Sequence, residues 1–503
     1  MSGFASVRTR FAPSPTGPLH IGGARSAIFS WLLAKRHGGQ FILRLEDTDR
    51  KRYVPGSEAE IYEGLRWLGL EWDEGPDIGG PFAPYVQSER KSQYQAVSQE
   101  LIQRGHAYPC FCSAERLAAV NEQRRSRKEA SGYDRHCRNI SASQAARRMA
   151  NGEAHVIRLK APRTGETCAM DLIRGSLSYE NERLQDTVLL KSDGLPTYHL
   201  AVVVDDHSMR ISHVTRAVEW LSSFPIHVLL WQMLEWPMPA FAHLPVLLNP
   251  NGKGKLSKRH AGFRHNGQSV PVLLREFKEE GYYGPAVANF LTNIGWSFGD
   301  NRELFTPEQA AERFDVTKVN AANSAFPVDK LHWLNGVYIR ERMTREDLRK
   351  HVRIPLQNAG YGIDEEKLEQ ILPLIQPRIK TFNDAVPMAG FFFADEFVPP
   401  TLALLHSSPL TPEEILQSLH ASRGLLSRCS AFKAKPLYER FADLANQLGM
   451  KKGPLFGTIR MAITGQSVSP PAFETMEIIG KEECLRRLDL SIQTLETPST
   501  QMQ

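Results

Sequence analysis

A chain of 503 residues is too long for one compact core, so three or more domains are expected. Its 42% hydrophobic and 23% charged residues are ordinary for a globular protein, and a net charge of +5 permits a nucleic-acid partner without requiring one. No run reaches the roughly 18 apolar residues of a membrane span, and six cysteines in so long a chain exclude a disulfide framework.

In chain order, the first 100 residues alternate short apolar runs with helical patterns. The segment from Ala24 to Arg36 reads as a helix after a glycine turn, and Phe41 to Leu45 as a buried strand. Strand, glycine turn and helix together open a βα unit of a parallel nucleotide-binding sheet. Runs of the same kind return at Val188–Leu190, at Leu200–Val204 and before Pro245, and read as further buried strands of that sheet. Between them lies a polar, arginine-rich segment that reads as an insertion splitting one sheet into halves. From about residue 262 the pattern turns helical, with Pro271–Gly281, Pro285–Gly295 and Pro307–Phe314 as short segments, the last capped by Thr306. Beyond about residue 337 the chain is mostly helical, jointed at Pro399-Pro400, Pro409 and Gly453-Pro454. The first motif lies so near Met1 that no targeting segment fits before it, and a cytoplasmic setting is expected.

Two segments carry chemistry. Phe11 to Gly17 is a strand exit stiffened by prolines, after which His20-Ile21-Gly22-Gly23 opens a helix. Glycines there let a nucleotide lie against the backbone, the helix N-terminus favours phosphate, and His20 can donate to a phosphate oxygen. Alone, the tetrapeptide reads more simply as a turn with a surface histidine. The second segment runs from Asn249 to Arg259 and includes Lys253, Lys255, Ser257 and Lys258. A glycine-rich loop with four cations suits a triphosphate, with Lys258 neutralising departing pyrophosphate; alone, it also reads as a solvated basic loop.

Together, in this order within a split sheet, the two segments resemble the signature motifs of class I aminoacyl-tRNA synthetases. Arg10–Gly17, Leu45–Asp49, Tyr53–Pro55, Asp193–Ala201, Val204–His207, Trp220–Ser223 and Trp333–Gly336 resemble glutamyl-tRNA synthetases of bacterial type, densely over the first 340 residues. The resemblance implies an α/β, Rossmann-type catalytic domain in two halves, 1–104 and 191–262. It further implies an acceptor-binding insertion at 105–190, a stem-contact region at 263–336, and an all-α anticodon-binding domain at 337–503. It implies ATP and Mg²⁺, with L-glutamate and a glutamate-accepting tRNA as partners; the glutamine-accepting tRNA is left open as a second acceptor. A monomer is expected, and activation of glutamate generally requires bound tRNA in this family.

The resemblance also assigns residues. Glutamate is held at Arg10, Ala12, Ser14, Glu46, Tyr198 and Arg216; a planar guanidinium at Arg216 suits the side-chain carboxylate, and Glu46 the α-ammonium. ATP lies at His20, Gly22, Gly23, Glu219, Lys255, Ser257 and Lys258, with His20 and Lys258 catalytic. Two positions depart from the family: Val202 stands where asparagine is usual, and Val218 where an acid is usual. These valines are either drift compensated by neighbours or a source of altered affinity, and they motivate a rival reading as a non-catalytic tRNA-binding paralogue. Cys110, Cys112 and Cys137 resemble a structural zinc site; Asn139 replaces the usual histidine, leaving Tyr133 or His136 as the fourth ligand. Three free thiols are the alternative. Arg124, Arg125, Arg127, Lys128, Arg135, Arg138, Arg147 and Arg148 read either as contacts for acceptor-end phosphates or as a solvated face. Lys451, Lys452 and Arg460 are matching candidates near the anticodon.

Overall fold

The computed structural model describes residues 6–256, 264–265 and 268–497. The chain divides into two compact units: Met1–Phe277 with Val287–Val328, and Lys278–Ala286 with Asp329–Gln503.

The first unit opens with strand β1 (Arg8–Phe11), helix α1 (Ile21–Arg36) and strand β2 (Gln40–Leu43). β1 and β2 pair in parallel from Arg8↔Gln40 to Phe11↔Leu43, the geometry expected of an apolar run entering a sheet through a crossover helix. α1 begins three residues before the expected Ala24, because the His20 side chain caps it. After helices α2 (Ser57–Trp67) and α3 (Lys91–Gln103) come β3 (Ala107–Cys110), helices α4 (Ala114–Ser126) and α5 (Ala142–Ala150), and β4 (Val156–Leu159). A hairpin of β5 (Glu166–Asp171) and β6 (Gly175–Glu180) precedes β7 (Val188–Leu190) and helix α6 (Tyr198–Ser208). The second run of parallel structure is β8 (His213–Ala217), α7 (Phe224–Met233) and β9 (Ala240–Leu244).

β8 and β9 pair in parallel, and the sheet order is β6-β5-β9-β8. The start of β8 meets β1, where the Ser212 amide donates to the Arg8 carbonyl at 2.9 Å. Arg10, Glu46 and Arg216 therefore all sit at or just beyond the carboxyl ends of parallel strands, where open α/β sheets bind ligands.

Two expected strands are corrected. Leu200–Val204 is the buried middle of helix α6, not a strand. This stretch shares one buried cluster with Leu159, Leu189, Leu230 and Trp231, so it is apolar on every face and shows no helical period. Val188–Leu190 is a strand, but it joins the antiparallel sheet β3-β4-β7 rather than the parallel one. The expected strand before Pro245 is β9. Thr306 caps Pro307–Ala311 in a full capping box with Gln309.

In the second unit every regular element among the described residues is helical. One core gathers Leu348, Val352, Leu368, Ile371 and Leu372; another gathers Ile415, Leu419, Phe441, Ile459 and Leu488. The joints expected at Pro399-Pro400 and Pro409 fall between helices, but Gly453-Pro454 lies in the first turn of helix Lys452–Thr464, where a missing amide donor costs no helical bond; Pro412 likewise opens Pro412–Ser427 behind the capping box Thr411/Glu414.

Candidate active site

A cavity of about 1030 Å³ opens at the strand ends, and Arg10, Ala12, Ser14, Glu46, Tyr198 and Arg216 all lie in its wall. Its floor is an ion cluster. Arg44, fully buried, donates to Asp206 at 2.8 Å and to Glu46 at 3.2 Å, and lies 3.6 Å from Asp205. Arg10 donates to Asp206 at 3.0 Å. Burial opposes charge on Asp206, but Arg10 and Arg44 hold its carboxyl below the usual range. Glu46 has the weaker share of cations: burial outweighs the pull of Arg44 and Arg10 and pushes its carboxyl up to about 7. Asp205 is saturated elsewhere, accepting from Gln87, Arg90 and Tyr94 at 2.7–2.9 Å.

Arg216 has different company. Its Nε donates to His243 Nε2 at 2.9 Å, and its Nη1 lies 2.9 Å from His227 Nδ1 and 3.4 Å from the Tyr198 hydroxyl. The guanidinium sits 5.2 Å from the Phe241 ring centroid, and its buried Nη2 has no hydrogen-bond partner among the described residues. Among those residues no carboxylate pairs with it. Tyr198 is stacked by Trp220 at 4.1 Å between centroids. A cavity with a carboxylate at one side and an unneutralised guanidinium at another suits a small ligand carrying an ammonium and a carboxylate.

His20 lies at the head of α1. Its Nδ1 accepts from the Gly22 amide at 3.0 Å, so in the neutral ring the proton sits on Nε2. A Cβ at Gly22 would come within 3.3 Å of that ring, and one at Gly23 within 3.0 Å of Leu19. The Ile21 amide donates to Val272 at 3.0 Å, and Leu274 donates to Leu19 at 2.9 Å. On the other side Leu256 donates to Leu247 at 2.9 Å, and Lys255 pairs with Glu219 at 2.5 Å. Val272 and Leu273 lie against the backbone that opens α1. Ser257 and Lys258 lie outside the described residues. His20, Gly22, Gly23, Glu219 and Lys255 are not in the described wall of the cavity.

Neither Val202 nor Val218 is in that wall. Val202 is buried in the apolar cluster of Ala201, Ile226 and Leu230, and Val218 begins the turn Val218–Ser223. The site residues not assigned a role from sequence are Arg44, Asp205, Asp206, His227, His243 and Asp171. Charges inside apolar runs, as in Leu43-Arg44-Leu45 and Val204-Asp205-Asp206, were the available signal, since buried charges need partners.

In the polar segment the Cys110, Cys112 and Cys137 sulfurs lie within 4.8 Å of one another, with Cys112 and Cys137 at 3.6 Å. Tetrahedral zinc with bonds of about 2.3 Å sets sulfurs about 3.8 Å apart, so the set fits. The Tyr133 hydroxyl is 3.3 Å from Cys110 and 3.8 Å from Cys112, whereas His136 is exposed and outside the group. Of the cations here, Arg135 and Arg138 clasp buried Asp186 at 3.2 and 2.7 Å, while Arg125, Arg127, Lys128 and Arg147 are exposed.

A family model described as the catalytic domain of class I (E and Q) tRNA synthetases matches residues 6–333, and an anticodon binding domain matches residues 344–492. A glutamate–tRNA ligase of Dehalococcoides mccartyi (strain CBDB1) is 44% identical over 497 residues, covering 97% of this chain and 98% of its own. One of Roseiflexus sp. (strain RS-1) is 42% identical over 506 residues, covering 98% and 97%. The crystal structure of a glutamate tRNA ligase from Elizabethkingia meningosepticum CCUG26117, in complex with its amino acid, superposes with a TM-score of 0.86 at 35% identity, covering 98% of this chain and all of the other. This chain belongs to the class I tRNA synthetases of the glutamate and glutamine type.

Proposed function

We propose that this chain is a glutamate–tRNA ligase that activates L-glutamate with ATP and transfers it to the 3′ end of tRNA(Glu). The observation that carries the choice of amino acid is Arg216, buried in the wall of the cavity, with neutral protein partners and an Nη2 that has no partner among the described residues. The glutamate side-chain carboxylate completes that guanidinium, and Glu46, as its carboxylate, receives the α-ammonium. Arg10, Ala12, Ser14 and Tyr198 line the same cavity.

With the α-carboxylate so placed, one of its oxygens attacks the α-phosphorus of ATP in line, and pyrophosphate leaves with the electrons of the broken P–O bond. His20 donates from Nε2 to the phosphate oxygens, with Gly22 and Gly23 giving the nucleotide close approach to the start of α1. Lys258 takes up charge on the departing pyrophosphate, and Mg²⁺ enters as the counter-ion of ATP. The tRNA 3′-terminal hydroxyl then attacks the glutamyl carbonyl, releasing AMP. No side chain forms a bond to either intermediate, so the protein acts by positioning and electrostatics.

The other assignments follow the same reading: residues 105–190 as the acceptor-binding insertion, 263–336 as the stem contact, and 337–503 as the anticodon-binding domain. Exposed Arg125, Arg127, Lys128 and Arg147 serve acceptor-end phosphates, and Cys110, Cys112, Cys137 and Tyr133 hold a structural zinc ion. Metal analysis of purified protein should find one zinc per chain, lost in Cys112→Ser; full thiol reactivity without metal would contradict it.

Pyrophosphate exchange tests the activity. Glutamate-dependent exchange is expected in the presence of tRNA, and none with glutamate under any condition would sink the reading in favour of a tRNA-binding paralogue. Charging of tRNA(Glu) and tRNA(Gln) in parallel measures the acceptor range.

A further inference from the structure

Besides the Tyr198 hydroxyl at 3.4 Å, two histidines at 2.9 Å hold Arg216 in place, and the hydrogen-bond directions leave each of them a single role. Asp171 Oδ2 lies 2.6 Å from His243 Nδ1 and also accepts from the His243 amide at 3.1 Å. Nδ1 therefore carries the proton, and the Nε2 lone pair faces Arg216 Nε–H. On the other branch, Arg216 Nη1–H points at His227 Nδ1, which must accept. His227 then donates from Nε2 to His199 Nδ1 at 3.2 Å. A proton added to the accepting nitrogen of either ring next to Arg216 would set N–H against N–H.

The consequence is electrostatic. Arg216 is fixed in direction by neutral acceptors, the two rings and the Tyr198 hydroxyl, but is not paired with any protein acid among the described residues. Asp206, whose opposite charge acts weakly on it, is already committed to Arg10 and Arg44. A carboxylate in place of either histidine would hold Arg216 equally well, yet it would cancel the charge that separates a substrate carboxylate from a carboxamide. Burial lowers the basicity of both rings, which keeps them in the neutral form the geometry requires.

We propose that His243, oriented by Asp171, and His227, oriented by His199, are positioning residues that set the preference for an acidic over an amide side chain by presenting Arg216 aimed and unneutralised. The inference rests on the reading of Arg216 as the partner of the glutamate side chain.

The test compares His227→Asn, which keeps an acceptor near the Nδ1 position, with His227→Glu and His243→Glu, which supply a carboxylate. Exchange is measured with glutamate and with glutamine at saturating ATP and tRNA. For both Glu variants the glutamate KM should rise, and the glutamate-over-glutamine ratio of kcat/KM should fall by about 30-fold or more, as expected when a buried polar discriminator is lost. The KM values for ATP and tRNA should stay near wild type, and His227→Asn should recover most of the ratio. An unchanged ratio in folded Glu variants, equal losses in Asn and Glu variants, or parallel rises in all three KM values would overturn the inference. Absence of glutamate-dependent exchange in the wild-type enzyme would instead remove the reading beneath it.

Discussion

Arg216 and Glu46 face opposite requirements within one cavity. Arg216 keeps its charge although burial lowers its pKa, because two histidines and the Tyr198 hydroxyl accept from it. Removing the guanidinium deletes the proposed substrate contact and leaves the facing His243 and His227 acceptors unpaired. Arg216→Gln should raise the glutamate KM by about 10–100-fold, from roughly 1.5–3 kcal/mol for hydrogen bonds to a charged group. Steady-state exchange checks this, and an equal rise in the ATP KM would point to collapse of the site. Glu46 titrates near the working range, since burial pushes its carboxyl from 4.5 to about 7. Because the folded pKa is raised, its proton contributes stability below pH 4.5 that is lost as pH rises through 7. Binding an ammonium demands the carboxylate, so glutamate binding should release a proton and its KM should climb as pH falls below 7. Glu46→Gln should bind more weakly but with that limb flattened in the pH profile of KM.

At the scale of elements, α1 couples stability to chemistry through one ring. His20 Nδ1 caps the helix by accepting from Gly22, which fixes the Nε2–H tautomer proposed to meet phosphate. The two roles separate by substitution. His20→Ala should cost about 1 kcal/mol of stability as a lost N-cap and also slow activation, whereas His20→Asn should recover the stability without the rate. Thermal melts and single-turnover activation measure the two, and joint recovery would refute the phosphate role. Helix α6 shows what neighbours contribute. Its run Ala201-Val202-Val203-Val204 is β-branched and apolar, a strand by propensity, yet Pro196 and Thr197 lead into a helix buried on every side. Asp205 and Asp206 at its end are where the floor of the site attaches to the core.

Across the whole molecule, the second unit carries its own organising charge. Arg487, buried in helix Lys481–Glu496, donates to Glu483 at 2.7 Å, to the Ile463 carbonyl at 3.0 Å and to the Phe391 carbonyl at 3.2 Å. It thereby ties together the two helical cores of that unit. Arg487→Met should lower the unit's stability by about 3 kcal/mol in chemical denaturation, because two buried carbonyls and an acid lose a shared donor. Arg486 and Arg487 hold the Glu483 carboxyl down at about 2. With a depressed folded pKa, its contribution is present above the ordinary 4.5 and lost as pH falls toward 2. Glu483→Gln should therefore remove part of the acid-limb loss of stability, and an unchanged limb would assign it to other carboxylates.

The family and the reaction class were legible through the resemblance carried by His20–Gly23 and Asn249–Arg259, neither of which is decisive alone, with their companion segments, and the helical end through its Pro- and Gly-punctuated pattern. Arg10, Glu46, Tyr198 and Arg216 could be named from sequence through the resemblance, but only folding brings these four, spread from strand ends to a helix start, into one wall. What each of them does there was decided by partners distant in the chain. Asp206 and Arg44 leave Glu46 short of cations, and His227 and His243 leave Arg216 charged and aimed. Local sequence carries propensity and periodicity, which act over a few residues. Desolvation and hydrogen-bond direction depend on everything packed around a group, so the protonation of Glu46, the tautomers of the histidines and the helical state of Leu200–Val204 belong to the tertiary structure alone.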